Sequence, residues 1–276
     1  MSECTHNCST CSSNCSSKDK ESLLFKLNEK SKIKHLIAVA SGKGGVGKST
    51  VTSLLAVAMA RKGYKVAILD ADITGPSIPK NFGLSGILTA TEDGLMCPAK
   101  SRMGIDIVSA NLMLEDEETP IIWRGPVIAG AVKQFWEEAY WNDVDYMFVD
   151  MPPGTGDVPL TVFQSLPIDG AIIVTTPQDL VSMVVSKCVN MAEKMNIEVL
   201  GIVENMSYIV CPDCGKKISV FGESERPSVA DSHMLATLAK LPIDPNTTKL
   251  ADNGRIEEAF TDGLDEAVAI LEKMKK

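Results

Sequence analysis

The chain has 276 residues, 45% hydrophobic and 23% charged, which is enough apolar material for one large α/β domain or two small ones. A formal net charge of −9 repels a phosphate backbone and argues against a nucleic-acid partner. The longest apolar run, Leu54–Ala60, is far short of the roughly 20 residues a membrane helix needs. No apolar stretch flanks the first basic residue, Lys18, so the expectation is a cytoplasmic protein with no secretory signal and no membrane partner.

Met1–Lys20 is polar throughout, with Met1 its only sizeable aliphatic side chain. Such a segment cannot bury enough apolar area to fold alone and reads as a flexible, Cys-rich N-terminal tail. Leu23–Lys32 reads as a short helical linker, which closes an N-terminal segment 1–32 ahead of a domain over 33–276. His35–Ser41 is a buried strand that runs directly into a glycine loop. Lys48–Lys62 then carries apolar residues at helical spacing, and Gly63 ends it. Further strands are predicted at Lys65–Asp70, Ile105–Ala110, Tyr146–Asp150, Ala171–Thr176 and Val199–Glu204. Helices are predicted at Pro126–Tyr140, Leu180–Met195 and Leu264–Met274. Short Val/Ile/Leu runs alternating with helices predict an α/β fold: a doubly wound, mostly parallel sheet flanked by helices.

Gly42, Lys43, Gly44, Gly45, Val46, Gly47, Lys48 and Ser49 fit the phosphate-loop pattern G-x-x-x-x-G-K-S, between a strand and a helix as its mechanism requires. Backbone N–H groups of such a loop wrap a phosphate chain, and the helix dipole adds positive charge. Lys48 is placed for the β- and γ-phosphates of ATP, Ser49 for Mg²⁺ and Thr50 for the α-phosphate. Two acidic motifs accompany the loop. Asp70 and Asp72 end the second strand, where a carboxylate would orient attacking water or bind Mg²⁺ through water. Asp72 is the stronger candidate of the two. Asp150 ends the strand YMFVD, at the crevice where parallel sheets bind ligands, and is followed by Pro152-Pro153-Gly154. Gly154 is suited to offer its N–H to a γ-phosphate and to move when that phosphate leaves.

Eight cysteines in a reducing compartment read as metal ligands or free thiols. Cys211 and Cys214 form a CxxC pair, which supplies two of the four thiolates that a tetrahedral zinc or a [4Fe–4S] cluster needs. A symmetric dimer would supply the other two; a zinc knuckle and a redox pair stand beside that reading. Cys4, Cys8, Cys11 and Cys15 form C-x₃-C-x₂-C-x₃-C, closer to a ferredoxin-like cluster motif than to a disulfide scaffold, with zinc as the alternative. Cys97 and Cys188 are isolated and read as inert thiols.

The form KGGVGKS resembles the phosphate loop of the MinD/ParA/nitrogenase-iron-protein class. Together with DADITGPSIP, WRGP, VDMPPGTGDVPLT, ENMSYIVCPDCG and LPIDP, it makes the chain similar to the Mrp/ApbC-type iron–sulfur carrier ATPases from about Ile33 to Phe260. That resemblance implies a homodimer with slow ATPase activity, in which Lys43 reaches the partner's nucleotide. It implies that Asn205, Pro242 and Asp244 frame the adenine of ATP or ADP. It further implies a [4Fe–4S] cluster bridging two subunits through Cys211 and Cys214, with zinc in its place in aerobic preparations. The implied partners are cluster assembly proteins and recipient apo iron–sulfur proteins.

A positioning ATPase of the MinD or ParA kind is the competing reading. It needs a membrane-targeting tail or a basic surface; Leu264–Lys276 mixes acidic and basic residues, and the chain is acidic. A nucleotide-dependent reductase is the third reading, but its cluster site uses separated single cysteines.

Overall fold

The structure, a computed structural model, describes residues 24–73, 75–113, 125–221 and 229–274. Cys4, Cys8, Cys11 and Cys15 lie outside the described residues, as do Trp123 and Arg124 of WRGP.

The chain begins β1 (Ile33–Ala40), α1 (Lys48–Arg61), β2 (Val66–Asp70), α2 (Ile78–Phe82), β3 (Ala99–Lys100) and β4 (Asp106–Val108). It continues through α3 (Gly125–Glu138), β5 (Val144–Asp150), α4 (Asp157–Ser165), β6 (Gly170–Thr175), α5 (Asp179–Lys194) and β7 (Val199–Val210). Last come β8 (Lys217–Ile218), α6 (Val229–Ser232), β9 (Thr237–Pro242), α7 (Pro245–Asp252) and α8 (Asp265–Lys273). Among the described residues the strands form one nine-stranded sheet, ordered β3-β4-β2-β5-β1-β6-β7-β8, with β9 also on β7. The central pairings are parallel; the short β3 and β8 pair antiparallel.

Strand side chains alternate faces, so β1 feeds two cores. Leu36, Ala38 and Ala40 pack with Phe135, Phe163 and Val189 of α3, α4 and α5 and with Trp141 just ahead of β5. Ile37 and Val39 pack with Leu55, Met59 and Leu271 of α1 and α8 on the other face. This is the doubly wound arrangement that the sequence predicts. It puts the loops after β1, β2, β5, β6 and β7 at one edge of the sheet.

Two predicted elements differ. Leu23–Lys32 is not a helix over its described residues; it runs as a strap across α3 and α4. The Phe25 N–H donates to Ser165 O at 2.7 Å, Trp136 Nε1 donates to Phe25 O, and Asn28 Nδ2 donates to Glu137 O and Ala139 O. These tertiary partners take the polar groups that a helix would have satisfied internally. The strand predicted to stop at Glu204 runs on to Val210, with Met206 at φ 56°, because β9 and β8 continue the pairing.

Candidate nucleotide site and thiol hairpin

The α1 helix begins without a side-chain cap and without an acidic residue in its first turn. Its leading N–H groups and dipole are therefore free to meet an anion. Gly47, the N-cap, sits at φ 76°, and a Cβ there would lie 2.3 Å from Asn205 Nδ2. A Cβ on Gly42 would lie 2.6 Å from the backbone oxygen of Val184 in α5. Glycine is required at both positions for this loop to close.

Behind the loop, Lys48 is 5% exposed, with Nζ 2.8 Å from Asp150 Oδ1 and 3.3 Å from Asp72 Oδ2. Burial works against its charge, but Asp150 and then Asp72 outweigh that and raise its pKa further. Ser49 Oγ donates to Asp150 Oδ2 at 2.5 Å, and Thr52 Oγ1 donates to Asp150 Oδ1 at 2.9 Å. These are hard oxygen donors, the chemistry that Mg²⁺ selects. Asp70 is fully buried; Ser109 Oγ donates to its Oδ2 at 2.8 Å, and the Asp72 N–H donates to its Oδ1 at 3.2 Å. Burial first, then the Asp150 charge, push the Asp70 carboxyl up to about 8, so it holds a proton at neutral pH. Asp70 thus fixes the start of the loop that carries Asp72.

The remaining predicted residues fall at the same edge. Lys43 Nζ donates to Gln178 Oε1 at 2.9 Å within its own chain. The Gly154 N–H donates to Ser41 O at 2.9 Å, so it must leave that carbonyl to meet a phosphate. Asn205 lies inside β7, not after a strand, and its Nδ2 donates to Val46 O at 2.9 Å. Pro242 ends β9, and Asp244 caps α7, accepting from the N–H groups of Asn246 and Thr247. Burial opposes the Asp244 charge, but the Thr247 hydroxyl and these amides lower its pKa. Thr52, Ser109 and Gln178 were not foreseen. Thr52 follows Lys48 by one helical turn and was discoverable from that spacing; Ser109 and Gln178 required the strand order.

Beyond Asn205, β7 leads to Cys211 and turns back into β8, with Val210 paired to Lys217. The Cys211 N–H donates to Lys216 O, and the Gly215 N–H donates to Cys211 O, both at 2.9 Å. The backbone N–H of Cys214, then that of Asp213, then the Cys214 thiol hold the Cys211 thiol below the ordinary range. Those donors favour a thiolate, the form that ligates metal. Both thiols are free, and Cys214 is exposed. Among the described residues no group of three or more His, Cys, Asp or Glu side chains is placed to hold a metal ion.

A family model described as the ParA-class NUBPL iron-transfer P-loop NTPase matches residues 32–275. The chain belongs to this family. It is 48% identical over 233 residues to an iron–sulfur cluster carrier protein of Clostridium perfringens, covering 82% of each chain. It is 40% identical over 288 residues to one of Methanococcus maripaludis, covering 99% of each. Among solved structures, an Archaeoglobus fulgidus nucleotide-binding protein in complex with ADP matches with 43% identity and a TM-score of 0.76, over 90% of this chain and 95% of that one. The Pyrococcus furiosus cell division ATPase MinD, at 20% identity and a TM-score of 0.60 over 86% of this chain and 95% of that one, shares the fold. For this iron-transfer family member, no helix among the described residues is long and apolar enough to cross a membrane.

Proposed function

We propose that this chain is a cytoplasmic, homodimeric iron–sulfur cluster carrier. In this reading it takes a [4Fe–4S] cluster from assembly proteins, holds it between two copies of the β7–β8 hairpin, and passes it to apo iron–sulfur proteins while slowly hydrolysing ATP. One observation carries the reading. The strand β7 that touches the phosphate loop through Asn205 continues directly to Cys211, joining that loop to a pair of free thiols.

In this mechanism, ATP phosphates replace Asp150 and Asp72 as the partners of Lys48, whose charge is already stabilised there. Ser49, with Asp150 beside it, would hold Mg²⁺, which supplies charge neutralisation to the phosphates. Asp72 orients the attacking water. The Gly154 N–H exchanges Ser41 O for the γ-phosphate and returns after hydrolysis. Lys43 reaches the nucleotide of the second subunit. Asn205 and Pro242 line the base side of the site; Asp244 acts there by holding the loop ahead of α7.

The test is anaerobic reconstitution followed by transfer to an apo-ferredoxin, comparing the wild type with Lys48→Ala. The variant is expected to take up iron and sulfide but to lose ATP binding and any ATP dependence of transfer. Zinc uptake without iron and sulfide under those conditions would contradict the carrier reading.

A further inference from the structure

Lys43 has a partner inside its own chain that none of the roles above uses. Its Nζ donates to Gln178 Oε1 at 2.9 Å. Gln178 stands at the N-cap of α5, yet its side chain makes no capping bond to that helix; it serves the lysine instead. Parallel pairing of β1 with β6, with Ala40 opposite Ile173, makes the phosphate loop and the turn before α5 leave the sheet side by side. The close approach of Val184 O to Gly42 packs α5, the helix that Gln178 begins, against the loop. In the same turn, among the described residues, the Thr176 hydroxyl is buried without a hydrogen-bond partner. An unpaired buried hydroxyl is costly. The turn that carries Gln178 is therefore not at its hydrogen-bonding optimum.

Building on the across-dimer role of Lys43 proposed above, we infer that Gln178 is a positioning residue that parks Lys43 inside its own subunit until the nucleotide of a second subunit draws it away. The chemistry suits a release. An amide oxygen is a neutral acceptor that orients an ammonium, whereas a polyphosphate competes for it with a full opposite charge as well as with hydrogen bonds. A carboxylate at position 178 would hold the lysine harder, and an alkyl group would not hold it at all.

The experiment measures ATP-driven self-association by sedimentation, ATP affinity, and hydrolysis per bound nucleotide in the full chain. Gln178→Glu and Gln178→Leu are compared in the native and the Lys43→Ala backgrounds. Gln178→Glu is expected to weaken self-association by about threefold, the scale of a partly exposed ion pair. Gln178→Leu is expected to strengthen it by about as much, with ATP affinity unchanged in both. Neither substitution should matter in the Lys43→Ala background. If the two substitutions act in the same direction, or persist without Lys43, or do nothing while Lys43→Ala slows hydrolysis, the parking role is overturned and the across-dimer lysine stands. Hydrolysis unaffected by Lys43→Ala would overturn the across-dimer role and the parking with it.

Discussion

The phosphate loop and the thiol hairpin are joined by one strand, yet they are built on opposite principles. Around Lys48 every charge has a partner within the chain: Asp150 and Asp72 flank the ammonium, while Ser49 and Thr52 complete Asp150. At the hairpin, Cys214 is exposed and Cys211 partly so, with apolar Val210 and Ile218 exposed on the paired strands. The Lys48 ammonium is fully partnered without ligand, so a phosphate must displace those internal partners even though the uncapped N–H groups of α1 stand ready for it. In the proposed reading the second region supplies only two thiols, and its ligand must bring partners with it. That difference, in the same reading, gives stability to the loop and assembly to the hairpin.

The sharpest way to break this contrast is to truncate one residue in each region and measure unfolding of the ligand-free protein by denaturant. Lys48→Ala leaves buried carboxylates without a counter-charge and is expected to cost about 3–5 kcal/mol. Cys211→Ala, on an open hairpin, is expected to cost no more than about 0.5 kcal/mol. Equal losses would erase the distinction.

Asp70 sharpens the contrast through pH. The folded protein holds a proton on Asp70 up to about pH 8, while the unfolded carboxyl releases it near 3.8. Between those values the native state binds more protons, so stability falls as pH rises, by an amount on the order of a few kcal/mol. Asp70→Asn, which mimics the protonated acid, should flatten that slope in a series of unfolding curves from pH 4 to 8. An unchanged slope would place the titration elsewhere.

Smaller effects are expected around the loop itself. Gly47→Ala puts a side chain at φ 76° against Asn205 and is expected to cost about 1–3 kcal/mol and to weaken ATP binding in a fluorescence titration. Adding Asn205→Ala should recover only part of this loss, because the backbone strain remains. Asp244→Ala removes the cap of α7, for a loss of about 1 kcal/mol by thermal unfolding, and is expected to weaken discrimination between ATP and GTP by loosening the loop it holds on the base side. Unchanged discrimination would take Asp244 out of the base site.

Much of this was legible in the residues. Phosphate-loop spacing, the apolar strands ending in Asp70 and Asp150, and the CxxC are local patterns, and the structure brings the loop and both aspartates into one cluster. What local pattern missed depended on neighbours distant in sequence. The strap near Phe25 has helical composition but spends its polar groups on Ser165, Trp136 and the end of α3. The extension of β7 past Glu204 exists because β9 and β8 offer it an edge. Gln178 gains meaning only when β6 is known to lie beside β1.

The central claim is that the hairpin is half a site. Native mass spectrometry under anaerobic conditions tests it most directly, on the full chain with Cys4, Cys8, Cys11 and Cys15 replaced by serine so that only the CxxC supplies a thiol pair. One [4Fe–4S] per two chains, about the stoichiometry that four thiolates require, is the predicted mass, with monomer and no cluster in Cys214→Ala. A full cluster on a single chain, or one retained without Cys214, would contradict the account.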